Sequence, residues 1–376
     1  LNYLIWEAYK KIKLKFSDFG FIVLIMKFAH MRSSNITNYP SLIGQSMKEL
    51  EDLSNTLGEP SFRGRQLFDW IYRKKVDDFT KMTDVPKLLK KKLNQYTLHP
   101  LKILKANNSL SKRTQKYLFV IENGKMIESV LMRENNRTTI CLSTQVGCAV
   151  DCDFCATAKM GFIQNLTVGE IVDQYIQLSK ISGTKITNVV FMGMGEPFLN
   201  YKNSIAAAKL LNHSKGINLG ARRITISTSG IITKIKKFTD ERHPFKLAVS
   251  LNGSSHNQRL KIMPVTKNQT FLNLLKAIKA YTNQTQKRIT IEYVLIAGIN
   301  DSQTDALKVK KILSSIKCKL NVIPFNEIDD TYKRPNEEVI QSFLKTLKSA
   351  PFPVTVRWSK GQDIDAGCGQ LATNLQ

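Results

Sequence analysis

Strand-like and helix-like segments alternate from Thr167 onward, and this alternation limits the possible folds more than any other feature of the chain. A capping box, Thr167-Val-Gly-Glu170, predicts the start of the first helix. Strands are predicted at Asn188–Met192, Arg223–Ser227, Phe245–Leu251, Ile289–Ile296, Leu320–Pro324 and Val354–Trp358, with helices near 201–212, 231–239, 270–282, 302–315 and 336–348. Strands joined by helices pair in parallel, so six such units predict an α/β protein with a partial (β/α)6, TIM-like barrel. The chemistry of such a fold is expected at the carboxyl ends of its strands.

Residues 41–98 have the pattern of a small helical module that precedes the barrel. Helices are predicted at Met47–Leu57, at Arg63–Lys74 and from Pro86 onward, and the last two carry several basic side chains. A basic module beside a catalytic domain favours a nucleic-acid-binding accessory domain, although a solvated helix face is the simpler explanation of any single lysine. Residues 1–38 are expected to be a disordered tail or an extension of the reading frame.

A β-hairpin is predicted to link the helical module to the barrel, over residues 101–135. Two strands, Lys116–Glu122 and Met126–Arg133, flank Asn123-Gly124, a dipeptide typical of two-residue hairpin turns. A further strand at Thr138–Ser143 leads into a cluster of cysteines. The catalytic domain is therefore expected to span residues 136–376.

The charge of the chain indicates a polyanionic partner. The formal net charge is +26, from 56 basic and 30 acidic residues, and nucleic acid is the first candidate, with an anionic membrane surface second. A lysine-rich codon bias would give the same composition. The longest apolar stretch, Phe19–Met26, is shorter than the ~20 residues of a membrane-spanning helix, so no membrane association is expected. Six cysteines in 376 residues do not suggest a disulfide scaffold, and we expect a reducing, cytoplasmic location.

The segment Cys148-Ala-Val-Asp-Cys152-Asp-Phe-Cys155 has the spacing CxxxCxxC, which predicts an iron–sulfur cluster. Three thiolates on one loop can ligate three irons of a four-iron cluster and leave the fourth iron without a protein ligand. An open iron can chelate the amino and carboxylate groups of a methionine moiety, as in S-adenosylmethionine (SAM). A structural zinc site is the alternative, but it needs four ligands and usually paired CxxC motifs, and the five histidines show no ligand spacing.

Other polar residues follow predicted strands, where a site is expected. Gly195 and Glu196 form a Gly-Glu-Pro turn in which the carboxylate could pair with the ammonium of a bound methionine moiety. The residues Ser227, Ser250, Asn252 and Asn326 also lie at strand ends, and from position alone capping or turn roles are favoured over ligand binding for each of them. Cys368, between two glycines, is expected on a flexible and accessible loop that suits a nucleophile, but from the residues alone a stray carboxyl-terminal cysteine is the favoured explanation.

Taken together, these motifs resemble one enzyme family over residues 41 to the carboxyl terminus. The matching segments are Cys141-Leu-Ser-Thr-Gln-Val-Gly-Cys148, Cys155-Ala-Thr-Ala, Phe191-Met-Gly-Met-Gly-Glu-Pro197, Ser227-Thr-Ser-Gly230, Ser250-Leu-Asn252, Ile262-Met-Pro264 and Gly367-Cys-Gly-Gln370. They are similar to those of the radical SAM ribosomal RNA adenine-C2 methyltransferases. A related family methylates C8 of the same adenine and confers antibiotic resistance.

The resemblance assigns a role to each candidate residue. It implies that Cys148, Cys152 and Cys155 ligate a [4Fe-4S] cluster, and that SAM is contacted by Gly195, Glu196, Ser227, Ser250, Leu251, Asn252 and Asn326. Cys368 is implied to carry a methyl group as S-methylcysteine, and Cys141 to resolve the enzyme–RNA adduct through a transient disulfide with Cys368. Glu128 is implied to be the proton acceptor. From the residues alone, the alternative for Glu128 is a solvent-facing strand residue, and the alternative for Cys141 is a buried structural thiol. Cys318 matches no family position and is expected to be structural.

The chemistry of the target atom explains why a radical route is needed. Adenine C2 is electron-poor and cannot attack a methyl sulfonium as a nucleophile, so radical addition is the available route. The resemblance implies two SAM molecules per turnover, one as methyl donor and one as radical source. The base must leave its stack to reach a barrel mouth, which favours a single-stranded or splayed nucleotide. The expected substrates are an adenosine of 23S rRNA, in the peptidyl transferase region, and the adenosine next to the anticodon in some tRNAs.

Three other functions are compatible with parts of the sequence. Adenine-C8 methylation uses the same cysteines, and only Gln145-Val-Gly147 favours the C2 group. A non-catalytic RNA-binding protein with a metal site would explain the charge but not Cys141 and Cys368. A radical enzyme acting on a small molecule or peptide would not explain the charge. The remaining expectations are a flavodoxin- or ferredoxin-type electron donor and a monomeric protein.

Overall fold

The computed structural model describes residues 40–373, so the expectation for residues 1–38 lies outside the described part of the chain. The helical module consists of α1 (Met47–Thr56), α2 (Phe62–Phe68), a π-helical turn at Asp69–Arg73, and α3 (Lys87–Leu93). Ser46 and Glu49 form a capping box that begins α1, and Pro86 precedes α3. The first and third helices agree with the sequence-based prediction, whereas the second changes from α to π geometry midway.

The helical module packs directly on the rest of the protein. The Tyr72 hydroxyl donates to Gln45 O at 2.7 Å and accepts from Gly44 N at 2.8 Å, which fixes the segment that enters α1. The ring of Phe68 lies 4.7 Å, centroid to centroid, from that of His213 in the catalytic part. Because buried side chains of both parts belong to one apolar cluster, the module is held in place by a shared core.

Antiparallel strands connect the module to the barrel. They are β1 (Leu101–Asn108), β2 (Thr114–Ile121) and β3 (Met126–Glu134). The hairpin β2–β3 turns at Asn123-Gly124 as predicted, and Gly124 has a φ of +79° that suits glycine. The strand β1, which pairs with β2, was not predicted. Since β3 also pairs with β4 (Arg137–Cys141), these strands extend the main sheet and are more than a linker.

The parallel strands follow one another in space in the same order as in the sequence. After β4 come β7 (Asn188–Phe191), β8 (Ile224–Thr228), β9 (Lys246–Ser250), β10 (Ile289–Leu295), β11 (Cys318–Pro324) and β12 (Val354–Val356). Helices α5 (Val168–Ile181), α6 (Tyr201–Asn212), α7 (Ile232–Asp240), α9 (Phe271–Thr285), α10 (Gln303–Leu313) and α11 (Glu337–Leu347) connect them, and α8 (His256–Ile262) precedes α9. Within residues 40–373, β12 pairs with β11 alone and not with β4, so the parallel sheet is open. The α/β fold with six βα units is therefore confirmed, and β12, predicted at Val354–Trp358, is its final strand.

Short elements flank the cysteine loop and complete the fold around the site. The strands β5 (Gln145–Gly147) and β6 (Phe162–Asn165) pair antiparallel on either side of the loop, and α4 (Ala156–Lys159) begins directly after Cys155. They were not predicted from the sequence. They hold the loop at the carboxyl end of β4. In the described part of the chain, no helix is long and apolar enough to cross a membrane.

Candidate active site

The cysteine loop starts at a position that only glycine can occupy without displacing the backbone. Gly147 has a φ of +70°, and a Cβ placed there would lie 1.8 Å from the carbonyl oxygen of Gly161. The next residue, Cys148, donates its backbone N–H to the same Gly161 oxygen at 2.9 Å. The start of the loop is therefore pinned to β6 through a close backbone contact.

The three thiols of the loop face one cavity. Cys148, Cys152 and Cys155 all line an open cavity of about 160 Å³ at the carboxyl ends of the parallel strands. Burial raises the pKa of the Cys148 thiol to about 12, so a thiolate at this position needs the charge of a metal. Within residues 40–373, no group of three His, Cys, Asp or Glu side chains is arranged so that it could bind a single metal ion. Three soft donors on one loop, spread around a cavity, fit the separate irons of a cluster.

Glu196 is held rigidly at the edge of the cavity. It follows β7, and both carboxylate oxygens accept backbone N–H groups, Oε1 from Phe198 at 2.9 Å and Oε2 from Ser229 at 2.6 Å. Burial raises the pKa of Glu196, and these hydrogen bonds oppose the rise. Gly195 has a φ of +93°, and a Cβ there would lie 2.4 Å from Gln145 Cβ. The turn thus places a fixed carboxylate close to the cysteine loop.

Most of the other residues that resemblance assigns to SAM binding also line this cavity. Ser227, Ser250, Asn252 and Asn326 are among its lining residues, together with Gly195 and Glu196. Leu251 is not among them, and its side chain packs in the main apolar core. Asn252 has a φ of +53°, and its Oδ1 accepts from Val294 N at 2.9 Å. The strand ends therefore bring these polar groups together, and their contacts with SAM remain a prediction.

Arg259 supports this edge of the cavity and was missed by sequence reasoning. Its side chain is fully buried in α8, and Nη1 donates to Ser250 O at 2.7 Å and to Leu251 O at 2.9 Å. Nη2 donates to Ser229 O. Burial lowers the pKa of Arg259 to about 10, so the guanidinium is charged at neutral pH. One cation thus ties the ends of β8 and β9 together.

Cys368 lies in the same cavity as the cluster cysteines, on a segment held by hydrogen bonds. Asn326 Nδ2 donates to Cys368 O at 2.9 Å, and Ala156 N donates to Gly369 O at 2.7 Å. The Thr157 hydroxyl donates to Leu371 O at 2.5 Å. Because Ala156 and Thr157 are in α4, the carboxyl-terminal segment docks on the turn that follows Cys155. The thiol is half-buried, and the segment is more tightly held than its flanking glycines suggested.

Cys141 and Glu128 are both buried, and neither belongs to the lining of the cavity. Cys141 ends β4, and burial raises the pKa of its thiol to about 12, with a further contribution from the Cys368 thiol. The side chain of Glu128, in β3, is 8% exposed, so the solvent-facing alternative is wrong. Its Oε1 lies 3.1 Å from Lys116 Nζ, and its Oε2 accepts from Ala372 N at 3.1 Å. Both residues adjoin the carboxyl-terminal segment that carries Cys368, although neither lines the cavity. All six cysteines are free thiols.

The basic side chains of the helical module differ in how freely they can meet a partner. Arg65 pairs with Glu51 at 2.8 Å, Arg73 pairs with Asp69, and Lys74 Nζ lies 3.2 Å from the ring centroid of Trp70. These cations of the second helix are partly neutralised within the module. On α3, the exposed lysines are Lys87 and Lys91. The third helix therefore presents the freer positive charge.

A loop of three cysteines facing a cavity at the carboxyl ends of parallel strands defines the class of protein as a radical SAM enzyme. The radical SAM superfamily profile matches residues 142–308. The profile of the ribosomal RNA large subunit methyltransferase N-terminal domain matches residues 41–98. A [4Fe-4S] cluster and SAM are the cofactors that membership of this superfamily implies.

Relatives and a solved structure narrow the class to one family. The chain is 43% identical to a "Probable dual-specificity RNA methyltransferase RlmN" from Thermotoga neapolitana over 332 residues, which are 88% of this chain and 97% of the relative. A protein of the same name from Leptospira interrogans is 42% identical over 344 residues, covering 90% and 97%. A crystal structure of a radical SAM methyltransferase from Sphaerobacter thermophilus superposes with a TM-score of 0.86 at 40% identity, covering 89% of this chain and 100% of that chain. The chain belongs to the RlmN family of radical SAM RNA methyltransferases.

Proposed function

We propose that this protein methylates C2 of an adenosine in 23S rRNA and of the adenosine next to the anticodon in some tRNAs. The observation that carries the proposal is that Cys368 and the three cysteines of the loop line one cavity. A methyl-carrying thiol and a radical source must share a site if the radical is to reach the methyl group. The family of the chain supports RNA as the substrate.

Cys148, Cys152 and Cys155 would ligate the [4Fe-4S] cluster, and SAM would lie among Gly195, Glu196, Ser227, Ser250, Leu251, Asn252 and Asn326. When bound, the cluster supplies the electron that cleaves SAM to a carbon radical. Glu196 would accept a hydrogen bond from the ammonium of the methionine moiety, since its carboxylate is already fixed by two backbone N–H groups. Leu251 would contribute backbone and not side-chain contact, because its side chain is buried.

Three residues of the chain would handle the methyl group and the proton. The Cys368 thiolate accepts a methyl group and carries it as S-methylcysteine, which requires two SAM molecules per turnover. Glu128 accepts the proton lost from C2, and burial, which raises its pKa, favours proton uptake. The Cys141 thiol, on losing its proton, then attacks the sulfur of Cys368. An S–S bond forms, the bond from that sulfur to the carbon attached to C2 breaks, and the released carbon takes the bonding electron pair and a proton to become the methyl group. Both Cys141 and Glu128 are buried.

The helical module would position the RNA without reading its sequence. Phosphate contacts from Lys87 and Lys91 on α3 suit this role, because both lysines are exposed. The target adenosine must leave its stack to reach Cys368. A flavodoxin- or ferredoxin-type protein is the proposed electron donor, and the monomer is the proposed working unit.

The product of the reaction tests the proposal most specifically. The protein, with its cluster reconstituted under anaerobic conditions, would be incubated with SAM, a reductant and either 23S rRNA or tRNA transcripts. Mass mapping of the digested RNA should show one C2-methyladenosine in each. A C8-methyladenosine would overturn the C2 assignment, and unmodified RNA with every component active would overturn the proposed function.

A further inference from the structure

An exposed tryptophan lies just after the last strand of the sheet, in contact with an arginine. Trp358 comes two residues after β12, at the carboxyl end of the strand, and its surface is 41% exposed. The Arg334 guanidinium carbon lies 5.2 Å from the ring centroid of Trp358. A large aromatic ring left in solvent loses the stability that its burial would give, so this pair has the character of a binding surface.

Hydrogen bonds connect this pair to the segment that carries Cys368. Asn326 Nδ2 donates both to the hydroxyl of Ser359, at 2.8 Å, and to Cys368 O, at 2.9 Å. Ser359 directly follows Trp358. On the other side, Gln362 Nε2 donates to Asn326 Oδ1 at 2.7 Å, and Arg334 Nη1 lies 3.5 Å from Gln362 Oε1. The pair therefore lies next to residues that contact Asn326, which lines the cavity together with Cys368, and this neighbouring surface is called the rim below.

The charge of Arg334 is available to an anion. Among the ion pairs of the described residues, Lys333 is matched with Glu327 and Asp330, and Lys360 with Glu134, but Arg334 has no carboxylate partner. Glu327 Oε1 accepts from the backbone N–H of Arg334, not from its guanidinium. The rim thus presents one planar aromatic surface and one cation free of ion pairing.

We propose that Trp358 and Arg334 form a stacking platform for a nucleotide that neighbours the target adenosine in the RNA. An indole stacks on any nucleobase, and a guanidinium binds phosphate, so the two side chains match the two halves of one nucleotide. The net charge of +26 favours RNA over an uncharged or cationic partner at this rim. Holding the neighbouring nucleotide would keep the flipped target base aligned with Cys368. This inference rests on the proposed function, since it takes RNA as the substrate.

The test compares binding of a short single-stranded oligoadenylate to the full chain and its variants, over a range of salt concentrations. Trp358→Leu should weaken binding about tenfold, because stacking on an aromatic side chain contributes about 1–3 kcal/mol per base. The same variant should leave the salt dependence unchanged, since no phosphate contact is lost. Arg334→Met should instead lower the slope of log K against log salt by about 0.7, the value for one phosphate of a single strand. Arg222→Met is the matched control, because Arg222 is exposed near the amino end of β8, away from the cavity.

Fluorescence gives a second readout that needs no change in affinity. The chain has three tryptophans, and the difference in emission between wild type and Trp358→Phe isolates Trp358. Stacked bases should quench that emission in the wild type. The platform would be overturned if Trp358→Leu bound the oligonucleotide as tightly as wild type. It would also be overturned if the oligonucleotide did not quench the emission of Trp358. Absence of quenching with retained affinity would point to a protein partner at this rim. Failure of the wild type to bind any RNA would instead overturn the proposed function.

Discussion

The single buried cation at the edge of the cavity makes a prediction about both stability and SAM binding. Arg259→Met removes the guanidinium that ties Ser229, Ser250 and Leu251 together while keeping an unbranched side chain of similar reach. Hydrogen bonds from a charged donor contribute about 1.5–3 kcal/mol each. The three hydrogen bonds together stabilise the fold by more than the several kcal/mol of desolvation free energy that is regained when the guanidinium charge no longer has to be buried. We expect a net loss of about 3 kcal/mol.

That loss translates into a measurable shift of the melting temperature. Unfolding entropy is about 2.1 cal/mol/K per residue, so for a chain of this size 3 kcal/mol corresponds to about 4 °C. Circular dichroism melting of the cluster-free protein would measure it, with Lys261→Met as the control on the same helix, since Lys261 is exposed. SAM affinity, measured by calorimetry on the reconstituted protein, should also fall because the ends of β8 and β9 are released. A variant that melts within about one degree of wild type would refute the reasoning.

Two further substitutions test the cysteine loop and the proton acceptor. Gly147→Ala should reduce bound iron and sulfide, because the added Cβ would lie 1.8 Å from Gly161 O. Gly124→Ala is the control and should retain both, since Gly124 also has a positive φ, +79°, but a Cβ there would meet nothing within 4 Å. Equal iron contents in the two variants would contradict the conclusion that the cysteine loop is held by this backbone contact. Lys116→Met removes the ammonium that lowers the pKa of Glu128, so that pKa should rise and the acid limb of the methylation pH profile should move to higher pH. Lys116→Arg keeps the positive charge and should leave the acid limb at its wild-type pH. If Lys116→Met also left the acid limb at that pH, Glu128 would not be the proton acceptor.

The order of the elements was predictable because each carries its own local signal. The capping box at Thr167 and the hairpin turn at Asn123-Gly124 both appear as predicted. The strand β1 was missed because most of its residues are exposed or half-buried at the edge of the sheet, which weakens the apolar pattern. The ribbon β5–β6 was missed because strands of three and four residues are too short to show a period.

The site was predictable only where its residues form local motifs. The cysteine loop and the Gly-Glu turn could be found because their neighbours in sequence are also neighbours in the site. Arg259 could not be found, since an arginine in an amphipathic helix is usually a surface cation and its burial depends on the ends of two distant strands. The burial of Glu128 depends likewise on the carboxyl-terminal segment, which contacts it through Ala372.

The central claim is that Cys368 carries a methyl group beside a cluster held by the cysteine loop. The most direct measurement is mass spectrometry of peptides from protein purified anaerobically with its cluster, together with iron and sulfide analysis of the same sample. The account predicts a methyl group on Cys368 and about four irons per chain. An unmodified Cys368 in protein that holds its cluster and has been exposed to SAM would contradict it, and a different radical reaction would then have to be sought.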